Sequence, residues 1–156
     1  MALELKDLYR EIVNEQNLHP AHKGDLENPT MILQGVNPSC GDDIYLQLKI
    51  EDDVVTEGSF NGSGCAISQA SADMMLDLII GKQKDEALKL AESFMGMVRS
   101  TASPEEIEAL DEAAALESIS HMPARVKCAT LGWKTMQRML KDGETTQSVT
   151  TETDES

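Results

Sequence analysis

Aromatic side chains make up only 3% of the 156 residues, and 13 Lys and Arg stand against 28 Asp and Glu. Few rings are available for bases to stack on, and a net charge of −15 repels phosphate, so a general nucleic-acid binder is excluded. No eighteen apolar residues run together, and the opening MALELKDLYREI is an acidic amphipathic helix start rather than a charged n-region followed by an apolar one. Neither a membrane span nor a secretory signal is therefore expected. Cysteine is also scarce: Cys40, Cys65 and Cys128 are an odd set, which argues against a disulfide framework and for a reducing, cytoplasmic setting.

What is there suffices for one folded unit. Hydrophobic residues reach 40%, enough for a core of aliphatic side chains and nine methionines, with Met74, Met75, Met136 and Met139 at helical spacing. Leu5, Leu8, Tyr9, Ile12 and Val13 predict a helix over Leu5–Asn17, followed by the polar, Pro- and Gly-containing stretch LHPAHKGDLENP. Thr30–Val36 reads as a strand stopped by NPSCGDD. Ile44, Leu46, Leu48 and Ile50 then alternate with polar residues, and a turn at Glu51, Asp52 and Asp53 leads to a return strand, Val54–Phe60, closed by NGSGC. From Ala66 the period becomes helical, with Ile67, Ala70, Met74, Met75, Leu78 and Ile79 on one face and Gly81 as the stop. Gln83–Arg99 is a second helix. Ser103, Pro104 and Glu106 form a capping-box start for a third run, to about Ser118. A last helix begins near Pro123 and carries Val126, Ala129, Trp133, Met136 and Leu140. The expected fold is α+β: a three-stranded antiparallel sheet with helices packed on one face. Residues 1–140 are read as one domain and 141–156, with one lysine and five acidic residues, as a disordered acidic tail.

The cysteines sit in informative places. Cys40 falls in a strand-ending turn and Cys65 in a glycine-rich loop before a helix, where the helix dipole favours a negative sulfur; Cys128 lies in the first turns of the last helix. Polar turns give a small hydrophobe no packing reason to be there, so metal ligation or nucleophilic chemistry takes precedence over inert burial. Three thiolates lack the fourth ligand of a tetrahedral site. Asp42, two residues from Cys40 across Gly41, is the nearest candidate, and a Cys₃Asp set suits zinc. Asp43 is equally near, with a strand cap as its alternative reading. The intervals between the cysteines match no generic zinc finger. His19, His22 and His121 read as exposed or packed histidines, and the Glu and Asp of the third helical run as a solvated face.

Taken in order, NPSCGDD, GSGCAISQASADMM and RVKCATLGW resemble the NifU-like iron-sulfur cluster assembly proteins, the group of the IscU scaffold and its relative SufU. The likeness extends to about Leu140 and implies a SufE/NifU-like fold. Two features are similar to the SufU branch. Lys127 stands where the scaffold has a histidine before its last cysteine, and the interval from Cys65 to Cys128 is lengthened by the Lys82–Ser118 helical region. That branch implies Zn2+ held by Cys40, Asp42, Cys65 and Cys128, with Cys40 as the catalytic thiol. It also implies a SufS-type cysteine desulfurase as partner, feeding downstream iron-sulfur assembly machinery, with neither nucleic acid nor membrane involved. In the family picture a histidine of the desulfurase takes over one metal position and releases Cys40 to accept sulfur. Arg125 and Lys127 are candidate partner contacts, with an exposed helix start as the alternative reading of Arg125. The leading expectation is a zinc-dependent sulfurtransferase. A scaffold for a transient [2Fe-2S] cluster and a zinc-stabilised interaction domain are the alternatives.

Overall fold

The computed structural model describes residues 21–27, 29–38, 41–142 and 148–150; the helix expected over Leu5–Asn17, His19 and Cys40 lie outside the described residues. Strands β1 (Met31–Asn37), β2 (Asp42–Glu51) and β3 (Val54–Ser63) form the expected antiparallel meander. Ile44, Leu46 and Leu48 point into the core while Tyr45 stays on the opposite, exposed face, as period-two alternation requires. The β2–β3 turn is made by Asp52 and Asp53, both at positive φ (51° and 64°), a left-handed pair whose twist matches the strands it joins. β2 starts two residues earlier than the hydrophobic alternation, because Asp43 and Asp42 continue the ladder opposite Val36 and Asn37. That extension draws Asp42 into the sheet.

Helices α1 (Ala66–Ile79) and α4 (Pro123–Asp142) pack together over one face of the sheet. Beside its apolar residues α1 also buries Ser68, Ser71 and Asp73, so it is enclosed on nearly all sides. The Ser71 hydroxyl pins the two helices: it donates to the Ala129 carbonyl at 2.6 Å and accepts from Trp133 Nε1 at 3.1 Å. α4 crosses β1 at Gly35, where a Cβ would collide with Thr135 Oγ1 and crowd Leu131. Helix α2 (Lys84–Val98) closes the other side of α4, with Phe94 stacked on Trp133 at 4.4 Å between centroids.

The third helical run departs from expectation. Ser103 and Glu106 do form the reciprocal capping box, but α3 (Pro104–Glu108) ends after five residues and Asp111 adopts a φ of 50°. Asp111–Ile119 then continues as a 3₁₀ helix. Its reason is in the spacing: Leu110, Ala113, Leu116 and Ile119 are all buried at intervals of three, the repeat that a three-residue turn stacks on one face. Within the segment expected to be a tail, Lys141 and Asp142 continue α4, and Ser148–Thr150 (β4) lies parallel beside β1, giving the sheet the order β3-β2-β1-β4.

Residues 22–24 run along β3, with Gly24 N–H donating to the Phe60 carbonyl and Phe60 N–H to the His22 carbonyl, at 2.9 and 3.0 Å. Asp25 meets Gln47 and Asn61 on the face away from the helices. No helix among the described residues is long and apolar enough to cross a membrane.

Candidate metal centre

The β1–β2 connection is bracketed by an asparagine and an aspartate. Asn37 ends β1, Asp42 begins β2, the two are register partners, and both are fully buried. The Asn37 Nδ2 donates to Asp42 Oδ2 at 3.1 Å and to Cys128 Sγ at 3.5 Å. The other carboxylate oxygen, Oδ1, accepts the Cys65 backbone N–H at 2.8 Å and the Ser68 hydroxyl at 3.1 Å. Asp42 thus has three protein donors, which is how a carboxylate is kept in a fully buried place.

Cys65 is the N-cap of α1. Its backbone is extended (φ −74°, ψ 167°) and its sulfur accepts the Ser68 N–H at 3.5 Å. Gly64 lets the loop approach this closely, since a Cβ there would stand 2.5 Å from Ser68 Oγ and 2.8 Å from Asp42 Oδ1. Cys128, buried early in α4, is delivered from the opposite side by the Ser71 contact at its neighbour Ala129.

One ligand atom each from Asp42, Cys65 and Cys128 lies within 4.8 Å of the other two, although the residues come from three elements and span 86 positions. Tetrahedral ligands at the usual zinc distances stand about 3.5–3.8 Å apart, so small side-chain adjustments would close this set on an ion. Two sulfurs and a carboxylate are donors that zinc accepts, and thiolates are also the ligands of iron-sulfur clusters. The residues present fit a metal group on donor chemistry and convergence alike.

Asp43 is not part of the cluster: strand alternation turns it to the other face, where it accepts from Gln34 Nε2 at 2.8 Å. His121 is exposed and outside the cluster, and His22 pairs with Asp77 at 2.6 Å. Arg125 is exposed and Lys127 half-buried, three residues and one residue before Cys128 at the start of α4. Asn37 and Ser68 stand within the motifs NPSCGDD and GSGCAISQASADMM, which give neither a role of its own. The signal that gives Asn37 its role is the hairpin register, which sets residue 37 opposite residue 42. Ser68 is the third residue of α1 after its N-cap, Cys65, whose sulfur accepts the Ser68 N–H.

The sequence profile of the NifU-like N-terminal domain matches residues 8–144. The iron-sulfur cluster assembly scaffold protein IscU of Streptococcus pyogenes serotype M1 is 40% identical over 151 residues, 96% of this chain and 94% of that protein. The zinc-dependent sulfurtransferase SufU of Bacillus subtilis (strain 168) is 39% identical over 134 residues, 86% of this chain and 90% of the relative. Among solved structures, a SufU described as a putative iron-sulfur cluster assembly scaffold of the SUF system, from Fervidobacterium islandicum AW-1, superposes with a TM-score of 0.80. It is 34% identical and covers 86% of this chain and 97% of its own.

Proposed function

The chain belongs to the NifU-like N-terminal domain family, and on that premise we propose that it works in iron-sulfur cluster assembly as a zinc-dependent acceptor of persulfide sulfur from a SufS-type cysteine desulfurase. The observation that carries this reading is the convergence of Asp42, Cys65 and Cys128, with Cys40 two residues from Asp42 in sequence. These four residues would hold zinc. When bound, zinc supplies a Lewis acid that keeps thiols deprotonated and ties separate loops together, without redox chemistry of its own.

The chain's own residues do the rest. Asn37, Ser68 and the Cys65 N–H orient Asp42 beside Cys65 and Cys128, and Cys40 is the thiol that the family resemblance implies for transfer. In the transfer, the Cys40 thiolate attacks the outer sulfur of the desulfurase persulfide. A new S–S bond forms on Cys40, the old one breaks, and the desulfurase cysteine leaves as thiolate. The transferred sulfur keeps its oxidation level, so neither oxidant nor reductant is consumed. Arg125 and Lys127, three residues and one residue before Cys128, would give an acidic protein cationic side chains for partner contact.

The scaffold reading is favoured by the name of the streptococcal relative, and the two predict different products. Mixing the protein with the desulfurase and cysteine tests them. Bound zinc, a raised desulfurase rate and persulfide on Cys40 support the transferase. A coloured cluster that passes to an apo-acceptor supports the scaffold. A desulfurase rate that Cys40→Ser leaves unchanged removes the transfer mechanism.

A further inference from the structure

Two residues tie the centre together. Ser68 links Asp42 to Cys65, through its hydroxyl and its backbone N–H, and Asn37 links Asp42 to Cys128. The Asn37 link is made by a carboxamide whose two protons go one to each partner, while its carbonyl oxygen is buried with no hydrogen-bond partner among the described residues. The unpartnered acceptor costs free energy, which the proton given to the buried Asp42 carboxylate offsets. Turning the amide over would set its oxygen against Asp42 Oδ2, acceptor against acceptor, so the orientation is fixed by the carboxylate.

We propose that Asn37 is a positioning residue of the metal centre, one that holds Asp42 and Cys128 in ligating geometry and, by donating to the Cys128 sulfur, weakens that sulfur's donation to the metal. The proposal rests on the reading that Asp42, Cys65 and Cys128 hold zinc. The choice of an amide has a chemical logic. A lysine or arginine at this place would satisfy both acceptors but would bring a positive charge against the incoming cation. A hydrophobic residue would leave two anionic ligands facing each other without a donor. The amide supplies two protons and no charge, and an N–H aimed at a metal-bound thiolate lowers the electron density the sulfur can share. That is a useful property in a centre that must retain its metal yet let one ligand go.

The test uses the full chain with Asn37→Leu, similar in size and without donors, and Asn37→Thr, which offers a single proton. Zinc affinity is measured by competition with a chromophoric chelator, and Co²⁺ in place of zinc reports the sulfur-to-metal charge-transfer band. Asn37→Leu is expected to bind zinc about 10–100-fold more weakly, in the range found when an outer partner of a metal ligand is removed. Its charge-transfer band is expected at longer wavelength. Asn37→Thr is expected between Leu and wild type. A Leu variant with zinc affinity within about twofold of wild type and an unshifted band overturns the proposal, since 10–100-fold is the expected loss. If the Leu variant does not fold, the same result for Asn37→Thr overturns it. Should Cys65→Ser lose zinc while Asn37→Leu keeps it, only the positioning role falls. Should the wild-type protein bind no zinc at micromolar concentration, the zinc reading falls and the proposal with it.

Discussion

Among the described residues two aspartates are fully buried, Asp42 at the β1–β2 end and Asp73 within α1, and they are put to different uses. Asp73 accepts the backbone N–H groups of Ala21 and His22, at 3.2 and 2.8 Å, and so ties the segment before β1 to α1. Its remaining charged neighbours are His22 and Asp77. Asp42 has comparable donors, but it shares its surroundings with two sulfurs. Burial and saturation with donors are therefore common to an anchor and to a ligand. The soft donors alongside Asp42 make the difference, and they arrive only because α1 and α4 both begin at that end of the sheet.

The sharpest way to break this comparison is to neutralise each carboxylate in turn and measure zinc affinity by chelator competition. Asp42→Asn is expected to weaken binding by at least about tenfold, since an anionic ligand becomes neutral, whereas Asp73→Asn stays within about twofold. Equal effects at the two positions would erase the distinction. Next in size, Gly64→Ala forces a methyl into Ser68 Oγ and Asp42 Oδ1, and overpacking of this kind costs about 1–3 kcal/mol. It should lower both the thermal midpoint and zinc affinity, and a variant that loses neither would show that the loop has room to shift.

The third prediction concerns pH. Burial holds the Asp73 carboxyl above its ordinary value of 3.8, outweighing the lowering by the N–H groups of His22 and Ala21. A carboxyl raised on folding takes up more protons folded than unfolded. Its favourable contribution is therefore complete below 3.8 and is lost as pH climbs through the raised value. Asp73→Asn should flatten the fall of denaturation free energy above pH 4, followed by urea titration at successive pH values, and an unaltered slope would remove Asp73 as its source. The smallest effect is expected at Asp77, half-exposed and paired with His22. Asp77→Asn should change stability by less than about 1 kcal/mol in the same titration, and a larger change would mean that the pair, rather than Asp73, carries the tie.

Much of the fold was legible because hydrophobic period and turn chemistry agreed. The alternation of Ile44, Leu46 and Leu48, the double aspartate at 52–53 and the capping box at Ser103 each point to one local structure, and each is found. The 3₁₀ segment was misjudged because its Ala- and Glu-rich composition favours an α-helix, while the three-residue interval of its buried positions is decisive only once their burial is known. At the centre, Cys65, Cys128 and Asp42 are visible as chemistry and stand out as single residues. Asn37, Gly64 and Ser68 stand in the motifs that carry the resemblance, but their roles come from register and close approach, which depend on how the chain folds back on itself. Asp73 was hidden for a related reason: a lone acid on a helix face is read as solvated unless the segment that donates to it is known.

The indole held between Ser71 and Phe94 has a practical consequence. Trp133 is the single tryptophan of the chain, it is fully buried, and it lies five residues beyond Cys128 on the same helix. Light absorbed at the red edge of the ultraviolet spectrum is therefore emitted from one known position, without any label. The colour and intensity of that emission are expected to follow the seating of α4 on α1, so a change of that seating would be read directly by fluorescence.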